Sequence, residues 1–215
     1  NAGGGATQAL MPLMLSALVM FGVEQAMGWR IALIVPGVLM LIVGAMYWKF
    51  TQDCPQGDFK ELRAQGIQVG NDKKGGIAIL KHAAKNYRVW ILFGAYAACF
   101  GIEIFIHNIV AMYYVDHFHF GLKEAGMAAG IFGLLALFAR ALGGIVSDKF
   151  ATKKGLDGRT KVLFAMILME GLFLIVFSQM NTAILAILAM TVFALFTHMA
   201  CGATYALVPF IDRDA

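Results

Sequence analysis

Apolar residues run through this chain in blocks too long for the strands or amphipathic helices of a soluble domain. They cover Ala2 to Val23, Ile31 to Trp48, Val89 to Val115, Ala125 to Val146, Val162 to Met180 and Thr182 to Ile211. Each block approaches or exceeds the roughly 20 residues that a helix needs to cross a hydrocarbon layer. The pattern predicts an all-α, polytopic protein with six membrane spans. Short connections at 24–30, 116–124 and near 181 alternate with longer polar ones at 49–88 and 147–161.

Composition agrees with this pattern. Sixty per cent of residues are hydrophobic, 14% are charged and mean hydropathy is +0.74, against roughly 25% charged residues in an ordinary soluble domain. The basic residues follow the loop alternation. Lys49, Lys60, Arg63, Lys73, Lys74, Lys81, Lys85 and Arg88 lie in or beside the first long loop, and Lys149, Lys153, Lys154, Arg159 and Lys161 in or beside the second. The opposite side carries only Arg30 and Lys123. By the positive-inside rule both long loops and the C-terminal end are cytoplasmic, with Asn1 near the same side. The net charge of +4 is therefore a topology signal, and a nucleic-acid partner has little support. The Pro- and Gly-containing stretch 49–88 is the natural linker between two membrane bundles, with two spans before it and four after. A chain that opens on Asn1 inside a membrane segment and stops at Ala215 just after a helix is expected to be an internal fragment.

Cysteine and histidine point to no metal site. Cys54, Cys99 and Cys201 form no CxxC pair, and two of them lie inside spans. Asp116, His117 and His119 are what a hydrated loop contains. His107 and His198, on different spans, are the one pair that could ligate a haem axially, as in a membrane subunit of a redox enzyme. That pair is the alternative from a different functional class.

Arg140 stands alone in the uncharged run Ala125 to Val146. A cation at the centre of a membrane helix costs about 2.5–3.5 kcal/mol, so it faces a polar cavity, a partner charge or an anion. On its own face lie Ala129, Gly133, Ala136, Gly143, Gly144 and Ser147, small residues that admit a neighbouring backbone or leave a cavity. The third span offers a surface to face it. Tyr96, Phe100, Glu103 and His107 stand at i, i+4, i+7 and i+11 with Asn108 beside them. Aromatic rings beside a guanidinium can hold a flat anion whose oxygens pair with the guanidinium in bidentate fashion. Equally, the rings can simply pack while Glu103 neutralises Arg140 as a buried ion pair. Glu103 is also a candidate proton carrier, being one of two acids inside the spans with Glu170. In the first span Gly3, Gly4 and Gly5 remove side chains, so that a ligand or another helix can come close to the backbone.

These features together resemble a known family. NAGGGATQALMPL, GWRIALIVPGVLMLIVG and QDCPQGD are similar to the signature helix, the next helix and the start of the central loop of the nitrate/nitrite porter family of the major facilitator superfamily. YRVWILFGAYAACFGIEIFIHNIVAMYYVDHF, FGLLALFARALGGIVSDKF and ACGATYALVPFI resemble that family's seventh, eighth and tenth helices. GGIVSDK, with Gly144, Asp148 and Lys149, is the superfamily's loop motif and alone marks only a facilitator.

The resemblance implies helices five to ten of a twelve-helix major facilitator fold. Residues 1–48 are then the last two helices of the N-terminal bundle, 49–88 the cytoplasmic central loop and 89–215 the first four helices of the C-terminal bundle. It implies a substrate site in which Arg140 pairs with nitrate or nitrite, Tyr96 and Phe100 form aromatic walls, and Asn1 with Gly3, Gly4 and Gly5 contributes the glycine signature. The wording GIEIFIHN and ACGATYALVPF is closer to the nitrate-uptake branch than to the exchangers. The expected activity is secondary active nitrate transport across a cell inner or plasma membrane by alternating access, with protons co-transported. Nitrate/nitrite exchange or transport of another small anion is the alternative within the class. Neither cofactor nor covalent chemistry is implied.

Overall fold

A computed structural model describes residues 2–67 and 76–211. Asn1, Lys73 and Lys74 lie outside the described residues. The chain is helical throughout, with no strand among the described residues, as expected where lipid cannot satisfy backbone polar groups.

Helices α1 (Ala2–Met20), α2 (Gln25–Phe50), α5 (Tyr87–Phe118) and α8 (Ala183–Ile211) coincide with four of the predicted spans and extend several of them. Between α2 and α5, the 49–88 stretch contains a tight turn closed by Cys54 and Gly57, then the short helices α3 (Phe59–Ala64) and α4 (Gly76–Lys85). The turn from α1 to α2 uses Gly22 at φ +87°, a left-handed conformation that glycine adopts without steric cost.

The connection between the fourth and fifth spans needs correction. No irregular loop separates them: α6 (Leu122–Leu134) and α7 (Ala136–Ser178) make one 57-residue helical run. The join at Leu135 is nearly helical, at φ −60° and ψ −25°. The only non-helical residue inside α7 is Gly155, at φ +59° and ψ −141°. There the chain doubles back. In a straight helix eight residues span about 12 Å, yet a Cβ on Gly158 would press against the carbonyl of Phe150. Arg159 likewise donates to Asp148 Oδ1, eleven residues earlier. Divided at Gly155, which parts α7 into limbs 136–154 and 156–178, this run turns the five apolar helical runs of the described residues into six segments. The polar 147–161 stretch is helix on both sides of one glycine because charged residues continue a helix readily once it leaves an apolar layer.

Packing follows the small residues. α1 lies along α6, both limbs of α7 pack with α8, and α5 rests on α8 and α6. One core gathers Ile106, Val110, Tyr114, Phe132, Met190 and Phe193; a second gathers Cys99, Val162, Leu163, Ala200, Cys201 and Leu207. By contrast α2 buries only Gly28 and Ala32. A helix apolar on every side belongs against lipid or further helices.

Candidate functional site

Arg140 sits five residues into α7, where the chain has just passed the Leu135 join. Its own backbone is clamped by α8. A Cβ on Gly202 would collide with the Arg140 carbonyl, and one on Gly143 with the backbone of Met199. These glycines let the two helix backbones touch, which sets the guanidinium against α5. The small residues around Arg140 thus serve different neighbours: Gly133 meets Gly5 of α1, Gly143 meets α8, and Gly144 faces open space.

The guanidinium reaches Glu103. Arg140 Nη2 donates to both carboxylate oxygens, at 2.9 Å to Oε1 and 2.8 Å to Oε2, while Nε has no partner. The Arg140 side chain is 25% exposed and that of Glu103 0%. The pair thus has a wet end and a dry end. A charge-assisted pair of this kind keeps a buried carboxylate from being orphaned, and part of the Arg140 side chain stays accessible.

The aromatic stripe on α5 is present but folded on itself. Tyr96 and Phe100 stack with centroids 5.1 Å apart and planes 11° from parallel. A planar anion needs about 7 Å between two rings, twice an ordinary van der Waals separation, so the rings form one double-layered wall with no slot between them. Tyr96 Oη is 2.6 Å from Tyr205 Oη on α8. A groove of about 510 Å³ opens beside this pair, lined by Leu92, Phe93, Tyr96, Thr204, Tyr205 and Val208.

The three glycines of α1 divide in role. Gly5 is buried, and a Cβ there would sit on the backbone of Gly133 and Leu134. Gly4 has His107 Cε1 at 3.6 Å from such a Cβ, an ordinary contact, and Gly3 has nothing within 4 Å. The seam continues with Gly130 against Ala9 and Gly126 against Pro12. Asp148 of the loop motif holds Arg159, whose guanidinium also lies over Phe210 at 4.9 Å, so the motif braces the reversal at Gly155. Lys149 contributes its carbonyl to Thr152, and Gly144 has no close neighbour.

The two histidines are engaged with protein. His107 Nδ1 is 3.3 Å from Gln8 Oε1, and His198 Nε2 is 2.9 Å from the carbonyl of Phe132. Both rings also pack on Phe132, at 5.0 and 5.2 Å between centroids. His198 lies against the acid as well, with Nδ1 3.2 Å from Glu103 Oε1 and both side chains fully buried. Cys201 adds its thiol 3.5 Å from Glu103 Oε2. The sequence alone marks His198 only as a haem-ligand alternative and Cys201 only as an unpaired cysteine, neither as a partner of Glu103. A signal was present, because His198, Cys201, Gly202 and Tyr205 recur at i, i+3, i+4 and i+7 in an otherwise apolar helix.

Comparison with known proteins identifies the family. The description of the Major Facilitator Superfamily matches residues 1–210. The chain is 37% identical to "High affinity nitrate transporter 2.5" of Arabidopsis thaliana over 99% of its own length and 42% of that relative's. It is 36% identical to "High-affinity nitrate transporter 2.3" of rice, over 99% of itself and 41% of the relative. With "Nitrate transporter 2.2" of Chlamydomonas reinhardtii it shares 34% identity over its whole length and 42% of the relative. The chain therefore spans about two fifths of the curated relatives it matches. No solved structure gives a significant match.

Proposed function

Because the chain belongs to the Major Facilitator Superfamily and is a multi-pass membrane protein, we propose that it forms part of the anion path of a secondary active nitrate transporter in a cell inner or plasma membrane. The observation that carries this is Arg140: a cation in a membrane span that holds a buried carboxylate through Nη2 while its side chain stays 25% exposed. The relatives, nitrate transporters of plants and an alga by name, supply the anion. A guanidinium is the side chain best matched to a flat oxyanion, through paired coplanar donors and a charge that never leaves it.

In this mechanism the substrate meets the exposed part of Arg140, with the stacked Tyr96 and Phe100 as one wall. Residues 1–48 and 89–215 belong to two bundles, joined by the cytoplasmic loop 49–88. The Gly5–Gly133 contact between α1 and α6 then lies on the seam between bundles. A seam without side chains is suited to the rocking by which alternating access exposes a midplane site to each side in turn. Moving one negative charge inward against a negative interior costs about 2.3 kcal/mol per 100 mV, so uptake is coupled to protons, with Glu103 as carrier. Exchange for internal nitrite is the competing mode.

The test is tracer nitrate uptake into proteoliposomes of the full-length protein, with and without a proton gradient or internal nitrite. Uptake driven by an inward proton gradient supports symport, and uptake only against internal nitrite supports exchange. No nitrate movement in either condition would reject the substrate.

A further inference from the structure

His198 has two ring nitrogens in two fixed surroundings. Nε2 faces the carbonyl of Phe132 at 2.9 Å. A carbonyl only accepts, so Nε2 carries a hydrogen. Nδ1 faces Glu103 Oε1 at 3.2 Å, in an ion-pair contact without aligned hydrogen-bond geometry, and both side chains are 0% exposed. Two bare lone pairs at that distance, shut away from water, repel each other. One proton must therefore lie on this pair, either on the imidazole with a carboxylate or on the acid with a neutral imidazole.

We propose that Glu103 and His198 together form the site of a transported proton, and that Arg140 links its occupancy to anion binding. The inference rests on the anion-transport function proposed above and assigns a second residue to its coupling. With the proton present, Arg140, Glu103 and His198 sum to +1; without it they sum to 0. An anion arriving at the exposed part of Arg140 meets a net attractive site only in the loaded form. By linkage the bound anion raises the affinity of the pair for its proton by the same factor. The translocated load is then neutral, and the membrane potential no longer opposes entry.

The neighbouring titratable groups come from three helices. α5 adds Tyr96, Cys99 and His107, α7 adds Arg140 and, from its second limb, Glu170, and α8 adds Tyr205, whose hydroxyl meets that of Tyr96, and Cys201 at 3.5 Å from Glu103 Oε2. α6 contributes only the Phe132 carbonyl and α1 only the neutral Gln8, through His107. Of these neighbours Arg140 and Cys201 touch Glu103, and neither is an imidazole placed within ion-pair distance of it as His198 is.

The experiment is calorimetric nitrate binding to the full-length protein in buffers of different ionisation enthalpy, which counts protons taken up per anion. In the wild type, above the pH at which the free site titrates, uptake approaches one proton per nitrate and apparent affinity falls close to tenfold per pH unit. His198→Gln keeps an N–H donor for the Phe132 carbonyl but holds no titrating proton; it is expected to bind nitrate with no proton uptake and a flat pH dependence. Wild-type proton uptake in His198→Gln overturns the proposal. Should that variant fail to fold, ¹⁵N spectra of His198 and the carboxyl infrared band of Glu103 in the wild type decide without nitrate. One shared titration step supports the pair, and two independent steps overturn it. A pair that titrates as one while nitrate fails to bind would retain the proton site and reject the substrate.

Discussion

At the residue scale, Arg140 and Glu103 form a charged contact between spans, and each makes the other tolerable. Removing one partner leaves a buried charge alone, a loss of about 3–5 kcal/mol, so truncation to Ala confounds folding with function. Conservative changes separate them. Arg140→Lys keeps a cation for Glu103 but replaces a planar fork by a point charge. The expected result is normal membrane insertion with at least about a tenfold loss in kcat/KM for nitrate, equivalent to about 1.4 kcal/mol, read from proteoliposome uptake; wild-type kinetics would exclude the bidentate role. Glu103→Gln keeps an acceptor for Arg140 Nη2 and removes the ionisable group. Proton-driven accumulation should disappear while nitrate/nitrate exchange persists, and normal accumulation would move the proton site elsewhere. The Arg140–Glu103 pair was legible from the sequence, since a lone arginine and an acid on an aromatic stripe call for each other. His198 was not legible as their third member, because a lone histidine in an apolar helix carries no address for its ring.

At the element scale, glycines decide where helices can touch. In α1 the open positions are Gly3 and Gly4, while Gly5 has the backbone of Gly133 and Leu134 where a Cβ would go. Gly5→Leu should therefore reduce thermal stability and folded yield by at least the roughly 1–3 kcal/mol typical of overpacking, whereas Gly4→Leu leaves yield nearly intact and acts on transport through the space beside His107. Equal thermal stability of the two variants would show that the seam is not closed there. Gly155 holds a different constraint. Its φ of +59° with ψ of −141° is a region essentially closed to L side chains, so Gly155→Ala should cost about 1–3 kcal/mol, measured as a lower unfolding temperature in detergent. The sequence showed that a glycine run and a polar loop existed. It could not show which glycine met which neighbour, because that depends on the rotation of one helix against another.

At the scale of the whole molecule, topology is the prediction most open to direct measurement. Cys54 lies in the first long loop, whereas Cys99 and Cys201 are buried between α5 and α8. An impermeant thiol reagent should label Cys54 in inside-out vesicles and spare it in right-side-out ones; labelling in the reverse pattern would invert the orientation drawn from the basic residues. Length and hydropathy by themselves determined the helical, membrane-spanning class, and the basic residues the sidedness expected of the loops, because a bilayer imposes its thickness and its charge asymmetry on any chain that crosses it. Arg140 and Glu103 were marked by their cost in lipid alone. Only the tertiary structure decided that a single glycine reverses the chain between two helical limbs, that Tyr96 stacks on Phe100 and meets Tyr205, and that His198 completes the charged pair. Each of those depends on contacts between helices far apart in the chain, and small residues permit many such contacts without choosing among them.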